Sequence, residues 1–131
     1  MGKLGISIYP EKTSEKEVLD YIDKAGKAGF SRIFSCLLSV NESKEVILEK
    51  FRRINQHAKE KGFEIILDVN PRIFNDLGIS YDDLSFFKEM NADGIRLDIG
   101  FTGLQESIMT FNKENLKIEI NMSNITHYID T

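Results

Sequence analysis

The stretch "DGIRLDIGF", residues 93–101, alternates like a β-strand, with Ile95, Leu97 and Ile99 on one side and Arg96 and Asp98 on the other. Strands of parallel sheets are usually apolar on both faces, because helices cover both. An arginine and an aspartate on one face of such a strand need a particular architecture around them.

The pattern recurs. In residues 64–70, Ile65, Leu67 and Val69 alternate with Glu64, Ile66, Asp68 and Asn70. In residues 116–123, Leu116, Ile118, Ile120 and Met122 alternate with Lys117, Glu119, Asn121 and Ser123. In residues 4–9, Leu4, Ile6 and Ile8 alternate with Gly5, Ser7 and Tyr9. "RIFSCLL", residues 32–38, is a further strand. The strand starts, Leu4, Arg32, Glu64, Gly94 and Leu116, recur with a period of about thirty residues, the βα repeat of a parallel sheet with right-handed crossovers.

Helices fill the intervals. Ser14 and Glu17 have capping-box spacing ahead of a stripe of Val18, Leu19, Ile22 and Ala25, and Gly29 stops that helix. Lys44 to Lys61 present Val46, Ile47, Phe51, Ile54 and Ala58 on one face before Gly62. Pro71 closes the third strand, and an irregular link with one helical turn at Ile73–Leu77 follows. Ser80 with Asp83 caps a helix over "YDDLSFFKEMN", and Thr102 with Gln105 caps one over "GLQESIMTFN". Asn124 can cap a final stub before Thr131.

Two α/β architectures suit five strands: a doubly wound open sheet, or part of a (β/α)8 barrel, which normally needs about 250 residues. An open sheet covered on both faces cannot easily hide Arg96, Asp98 and Glu119 in mid-strand. A barrel can, since its outer face packs on helices while its inner face turns polar toward the C-terminal mouth. The expected fold is a partial TIM barrel of about five strands and four helices, with residues 1–131 forming a single incomplete barrel domain. Five strands cannot close a barrel, so its edges should leave the isolated chain marginal, dependent on a further segment, or a homo-oligomer through those edges.

Composition narrows the class. Of the 131 residues, 41% are hydrophobic and 29% charged, as in globular proteins. The net charge of −4 and the lack of a basic run argue against nucleic acid or an anionic membrane as partner. The single cysteine, Cys36, sits in an apolar strand as a small core residue and permits no internal disulfide, which fits a reducing compartment. "MGKLGISIYP" lacks the apolar core of a signal peptide, and no run approaches a membrane span, so a cytoplasmic location is expected. His57 and His127 lack ligand partners at metal spacing, and no P-loop or dinucleotide fingerprint occurs, so no metal or cofactor is expected.

"LGISIYPEKTSEKEVLDYIDKAGKAGFSRIFSCLLSV" from residue 4, "DGIRLDIGFTG" from 93 and "LKIEINMSN" from 116 together resemble the bacterial 6-phospho-N-acetylmuramidase family, whose members are often labelled outer surface or TIM-barrel proteins of unknown function. The resemblance covers nearly the whole chain and keeps the motif order. It implies a complete N-terminal barrel followed by a cyclophilin-like domain, of which the last βα units and that domain are absent from this sequence. It also implies a cytoplasmic glycosidase of cell-wall recycling, splitting 6-phospho-MurNAc-β-1,4-GlcNAc into MurNAc 6-phosphate and GlcNAc. A lone sugar-phosphate-binding module, or a self-associating half-barrel, is the alternative.

Glycoside hydrolysis takes two carboxyl groups about the scissile bond, and in barrels these lie at C-terminal strand ends. Asp68, Asp98 and Glu119 are the inward candidates, with Asp98 and Glu119 the preferred pair and a buried network around Arg96 the competing explanation. "DGIRLDIG" is loosely similar to a chitinase strand motif. Gly100 stands where the chitinase acid would be, however, and Arg96 replaces an aspartate, which argues against acetamide-assisted cleavage. For the phosphosugar partner, Arg96 offers a planar fork, and Arg72, in a loop near the mouth, is a second candidate whose competing reading as a solvated loop residue is preferred. Tyr9, Asn70, Asn121 and Ser123 are candidates to bond sugar hydroxyls, or simply to fill the mouth.

Overall fold

The computed structural model describes residues 4–111 and 116–120. They form one parallel sheet of β1 (Gly5–Ile8), β2 (Arg32–Leu37), β3 (Glu64–Val69), β4 (Gly94–Leu97) and β5 (Lys117–Ile120). The strands lie in the order β1-β2-β3-β4-β5. Spatial order that follows chain order means every crossover steps the same way, and right-handed crossovers then put all helices on one face. A doubly wound sheet must reverse direction at a switch point, and this one does not. The sheet is the wall of a partial barrel.

The helices are α1 (Glu15–Lys27), α2 (Lys44–Glu60), α3 (Pro71–Leu77), α4 (Ser85–Glu89) and α5 (Gly103–Phe111). Ser14 caps α1 through the Glu17 N–H at 3.2 Å. The Thr102 box closes reciprocally, Gln105 N–H on Thr102 Oγ1 at 3.1 Å and Thr102 N–H on Gln105 Oε1 at 2.9 Å.

The outward side chains make the core. Ile6, Ile8, Ile33 and Ile65 pack with Val18, Ile22, Ile54 and Ala58 of α1 and α2. Leu37, Leu67, Val69, Ile95 and Leu97 pack with Phe51 of α2, Phe74 of α3, Leu84 just before α4, Phe87 of α4 and Met109 of α5. All these residues are at most 8% exposed. The second cluster is tied by rings: Phe74 stacks on Tyr81 at 4.7 Å and meets Phe101 edge-on at 5.5 Å.

Three local expectations are corrected. Five helices, not four, lie among the described residues, because Pro71 opens α3 instead of closing a strand into a link. Asn70 is its N-cap, accepting the Ile73 N–H at 3.2 Å, and proline suits the first helical turn, where its missing N–H is no loss. Next, α4 begins at Ser85 rather than after Ser80, because the Asp83 carboxylate accepts both the Ser85 N–H and its hydroxyl and holds the chain in a turn. Finally, β4 ends at Leu97: Asp98 accepts the Ile99 N–H at 2.9 Å, Gly100 takes φ 117°, and Ile99 is left 59% exposed instead of packing outward.

One glycine is essential to the sheet. A Cβ on Gly94 would lie 2.7 Å from both the Lys117 Cβ and the Lys117 carbonyl oxygen, so β5 can approach β4 this closely only at glycine.

Candidate functional site

The inward side chains form two tiers, set by register. Cys36 pairs with Asp68, Asp68 with Arg96, and Arg96 with Glu119, so these four residues make one row across β2 to β5. Arg32 and Glu64 pair in a row nearer the N-terminal strand ends.

In the upper row, Arg96 donates to Asp68 through Nη2 at 2.8 Å and Nε at 3.4 Å, a fork-on-carboxylate contact. Its guanidinium lies 3.9 Å above the Phe34 ring centroid. Asp68 holds the arginine charge and raises its pKa further. The lower tier is a separate network: Arg32 bonds Glu119 and lies 3.0 Å from Glu64, while Lys117 reaches the other Glu64 oxygen. Arg32 also stands 5.1 Å from the Phe34 ring centroid, so one ring meets two guanidinium groups.

The structure thus divides the sequence candidates. Asp68 and Arg96 are brought together, and Asp98, one residue past β4, lies just above them with its N–H on the Val69 carbonyl at 2.9 Å. Glu119 shares the row of Arg96 but turns its carboxylate to Arg32, at the first position of β2. Asn70 is occupied at both ends, its Oδ1 capping α3 and its Nδ2 donating to the Leu38 carbonyl at 3.0 Å. Arg72 is an exposed residue of α3, not a loop residue. Tyr9 is 45% exposed at the top of β1. Asn121 and Ser123 lie outside the described residues.

Cys36 is 4% exposed, and burial followed by the Asp68 charge pushes its thiol up to about 11. At neutral pH it is a thiol rather than a thiolate, so it is no nucleophile. Among the described residues, no cluster of three or more His, Cys, Asp or Glu side chains has the geometry to hold a metal ion. Nor is any described helix long and apolar enough to cross a membrane.

The sequence reading missed two participants. Phe34, read as an apolar strand residue, is the stacking platform for Arg96. Glu11, three residues past the end of β1, lines a cavity of about 150 Å³ with Tyr9, Cys36 and Ser39. Its signal was its place in the first βα loop, where barrels carry functional groups.

A family model described as 6-phospho-N-acetylmuramidase, N-terminal, matches residues 4–131. Among solved structures, an uncharacterized B. cereus protein is 50% identical with a TM-score of 0.72, over 92% of this chain and 31% of that one. A conserved Enterococcus faecalis protein of unknown function is 24% identical with a TM-score of 0.71, over 93% and 32%. Thiamine phosphate pyrophosphorylase from Pyrococcus furiosus, 18% identical with a TM-score of 0.57 over 90% and 48%, shares the fold. The chain therefore spans about a third of the first two proteins. A search of curated proteins gave no match. With the family's N-terminal model matched from residue 4 to residue 131, and a barrel wall carrying its polar residues inward, the chain belongs to the 6-phospho-N-acetylmuramidase family.

Proposed function

We propose that this chain supplies the N-terminal part of the barrel of a cytoplasmic glycosidase of peptidoglycan recycling, which cleaves 6-phospho-MurNAc-β-1,4-GlcNAc. The observation that carries the reading is the Asp68–Arg96 pair with Asp98 above it, on the inner face of a barrel wall near the strand ends. Barrel enzymes do their chemistry there. Family membership supports the substrate class.

Each residue has a distinct task in this reading. Asp98 is the carboxylate that meets the anomeric carbon or its water. Asp68 is a positioning residue, whose carboxylate fixes the Arg96 guanidinium over Phe34. It uses two of the five N–H donors a guanidinium carries. The remaining donors of Arg96 face an anionic substrate group, for which a planar fork is well shaped. Glu119, bound to Arg32, supports the wall from below.

The test is direct. The intact protein is incubated with the phosphorylated disaccharide and with the same disaccharide lacking phosphate, and products are read by mass spectrometry. MurNAc 6-phosphate and GlcNAc should appear from the first far faster than any product from the second. Turnover of neither, or of both equally, would overturn the reading.

A further inference from the structure

The Glu11 carboxyl is built unlike the other carboxyl groups of the mouth. Its Oε2 accepts from the Ser39 N–H and the Ser39 hydroxyl, both at 3.3 Å. Its Oε1 is sealed from solvent and has no hydrogen-bond partner among the described residues. A carboxylate oxygen buried without a donor is costly, because it loses water and gains nothing in exchange. A protonated carboxyl carries no charge to desolvate, so burial shifts the balance toward the acid.

The position is as telling as the environment. Glu11 follows β1 and Ser39 follows β2, so both stand at the C-terminal ends of their strands. The cavity they line has Cys36 in its wall. The Cys36 thiol donates to the Phe34 carbonyl at 3.8 Å and feels the charges of Asp68, Arg96 and Asp98. Cys36 is the register partner of Asp68, so the cavity that Glu11 lines adjoins the row carrying Asp68 and Arg96. The cavity is smaller than the roughly 300–1,000 Å³ of whole-ligand pockets, so it can take only an edge of a sugar lying on the inner face.

We propose that Glu11 is the catalytic acid of the site, giving its proton to the glycosidic oxygen while Asp98 serves the anomeric carbon. The assignment rests on the glycosidase reading and completes its pair of carboxyl groups. In the step, the bond from the anomeric carbon to the bridging oxygen breaks and its electron pair stays on that oxygen. The Glu11 O–H bond breaks, and its proton makes the GlcNAc hydroxyl. A water supplies the new oxygen at the anomeric carbon, and its remaining proton restores Glu11 directly or through Asp98 and solvent. Burial pushes the Glu11 pKa up, opposed by the Ser39 donors, the Leu38 backbone and the Lys50 charge. Lys12 also lines the cavity. A pKa moved upward is the direction an acid catalyst requires.

The experiment compares two leaving groups in the intact protein. Glu11→Gln should cut kcat/KM on the phosphorylated disaccharide about 10²–10⁴-fold, the usual span for one acid catalyst. The 4-nitrophenyl β-glycoside of MurNAc 6-phosphate, whose leaving group needs no proton, should change less than about tenfold. Equal loss on both, or no loss on either, would remove Glu11 from the chemistry and leave the glycosidase reading standing. A wild-type protein that cleaves neither substrate would overturn that reading and the assignment with it. Ser39→Ala is the second variant, should Glu11→Gln not fold. It removes a donor that favours the anion, so the alkaline limb of the kcat profile should move to higher pH; a limb that stays put refutes the assignment.

Discussion

Arg96 and Asp68 stand directly opposite each other on β4 and β3, and their side chains close to 2.8 Å beneath Asp98. Asp68 is buried and Arg96 half-buried. Removing one partner strands the other, which costs more than removing both. Arg96→Met should therefore destabilise the fold by about 1.5–3 kcal/mol, the range for a charge-assisted hydrogen bond. Adding Asp68→Asn should recover part of the loss. Urea denaturation of the four proteins of the cycle measures this, and strictly additive effects would show that the pair is not coupled.

Gly94 limits how closely β4 and β5 pack. Gly94→Ala pushes a methyl group against the Lys117 backbone, which cannot yield as a side-chain tip would. The expected cost is about 1–3 kcal/mol, typical of overpacking. Amide exchange should speed up at residues 117–120 before it does in β2 and β3. Unchanged protection in β5 would contradict the close approach.

Asn70 separates structural from substrate roles. Asn70→Asp keeps the oxygen that caps α3 but loses the donor to Leu38, whereas Asn70→Ala loses both. The alanine variant should be destabilised by about 1 kcal/mol from the cap alone, and further by the unpaired carbonyl. Thermal melting should rank wild type above Asp and Asp above Ala. Equal melting temperatures would mean that neither bond supports the fold.

Glu11 gives stability a pH dependence of definite sign. Its carboxyl titrates above its ordinary value of 4.5 in the folded chain. Below 4.5 folded and unfolded states both hold the proton; as pH rises, the unfolded state releases it first, and stability falls until the folded carboxyl also ionises. Glu11→Gln abolishes this term. The variant should therefore melt progressively closer to, or above, wild type as pH rises from 4 toward 8. A melting difference that does not vary with pH would show that Glu11 titrates normally.

How much of this was legible in sequence follows from the range of each interaction. The period-2 alternation in "DGIRLDIGF" and its fellow strands fixes which side chains share a face, because successive residues point oppositely. With Ser14, Thr102 and the thirty-residue spacing, local chemistry alone predicts a one-sided α/β wall, and the strand order bears this out. Pro71 misled because a proline ends a strand and opens a helix by the same missing N–H; only the Asn70 cap distinguishes the two. What sequence could not decide is pairing across strands. Asp68, Asp98 and Glu119 read as equivalent inward carboxyl groups, yet register sets Asp68 on Arg96 while Glu119 turns to Arg32, eighty-seven residues away. Nor could it show that one oxygen of the Glu11 carboxyl is sealed while the other meets Ser39, since a loop residue's burial depends on the neighbouring strand. The sequence by itself determined a barrel wall with a polar inner face. Only the tertiary structure decided which charges on that face neutralise one another and which carboxyl group has an oxygen buried without a donor, because both depend on distances that the chain acquires only when folded.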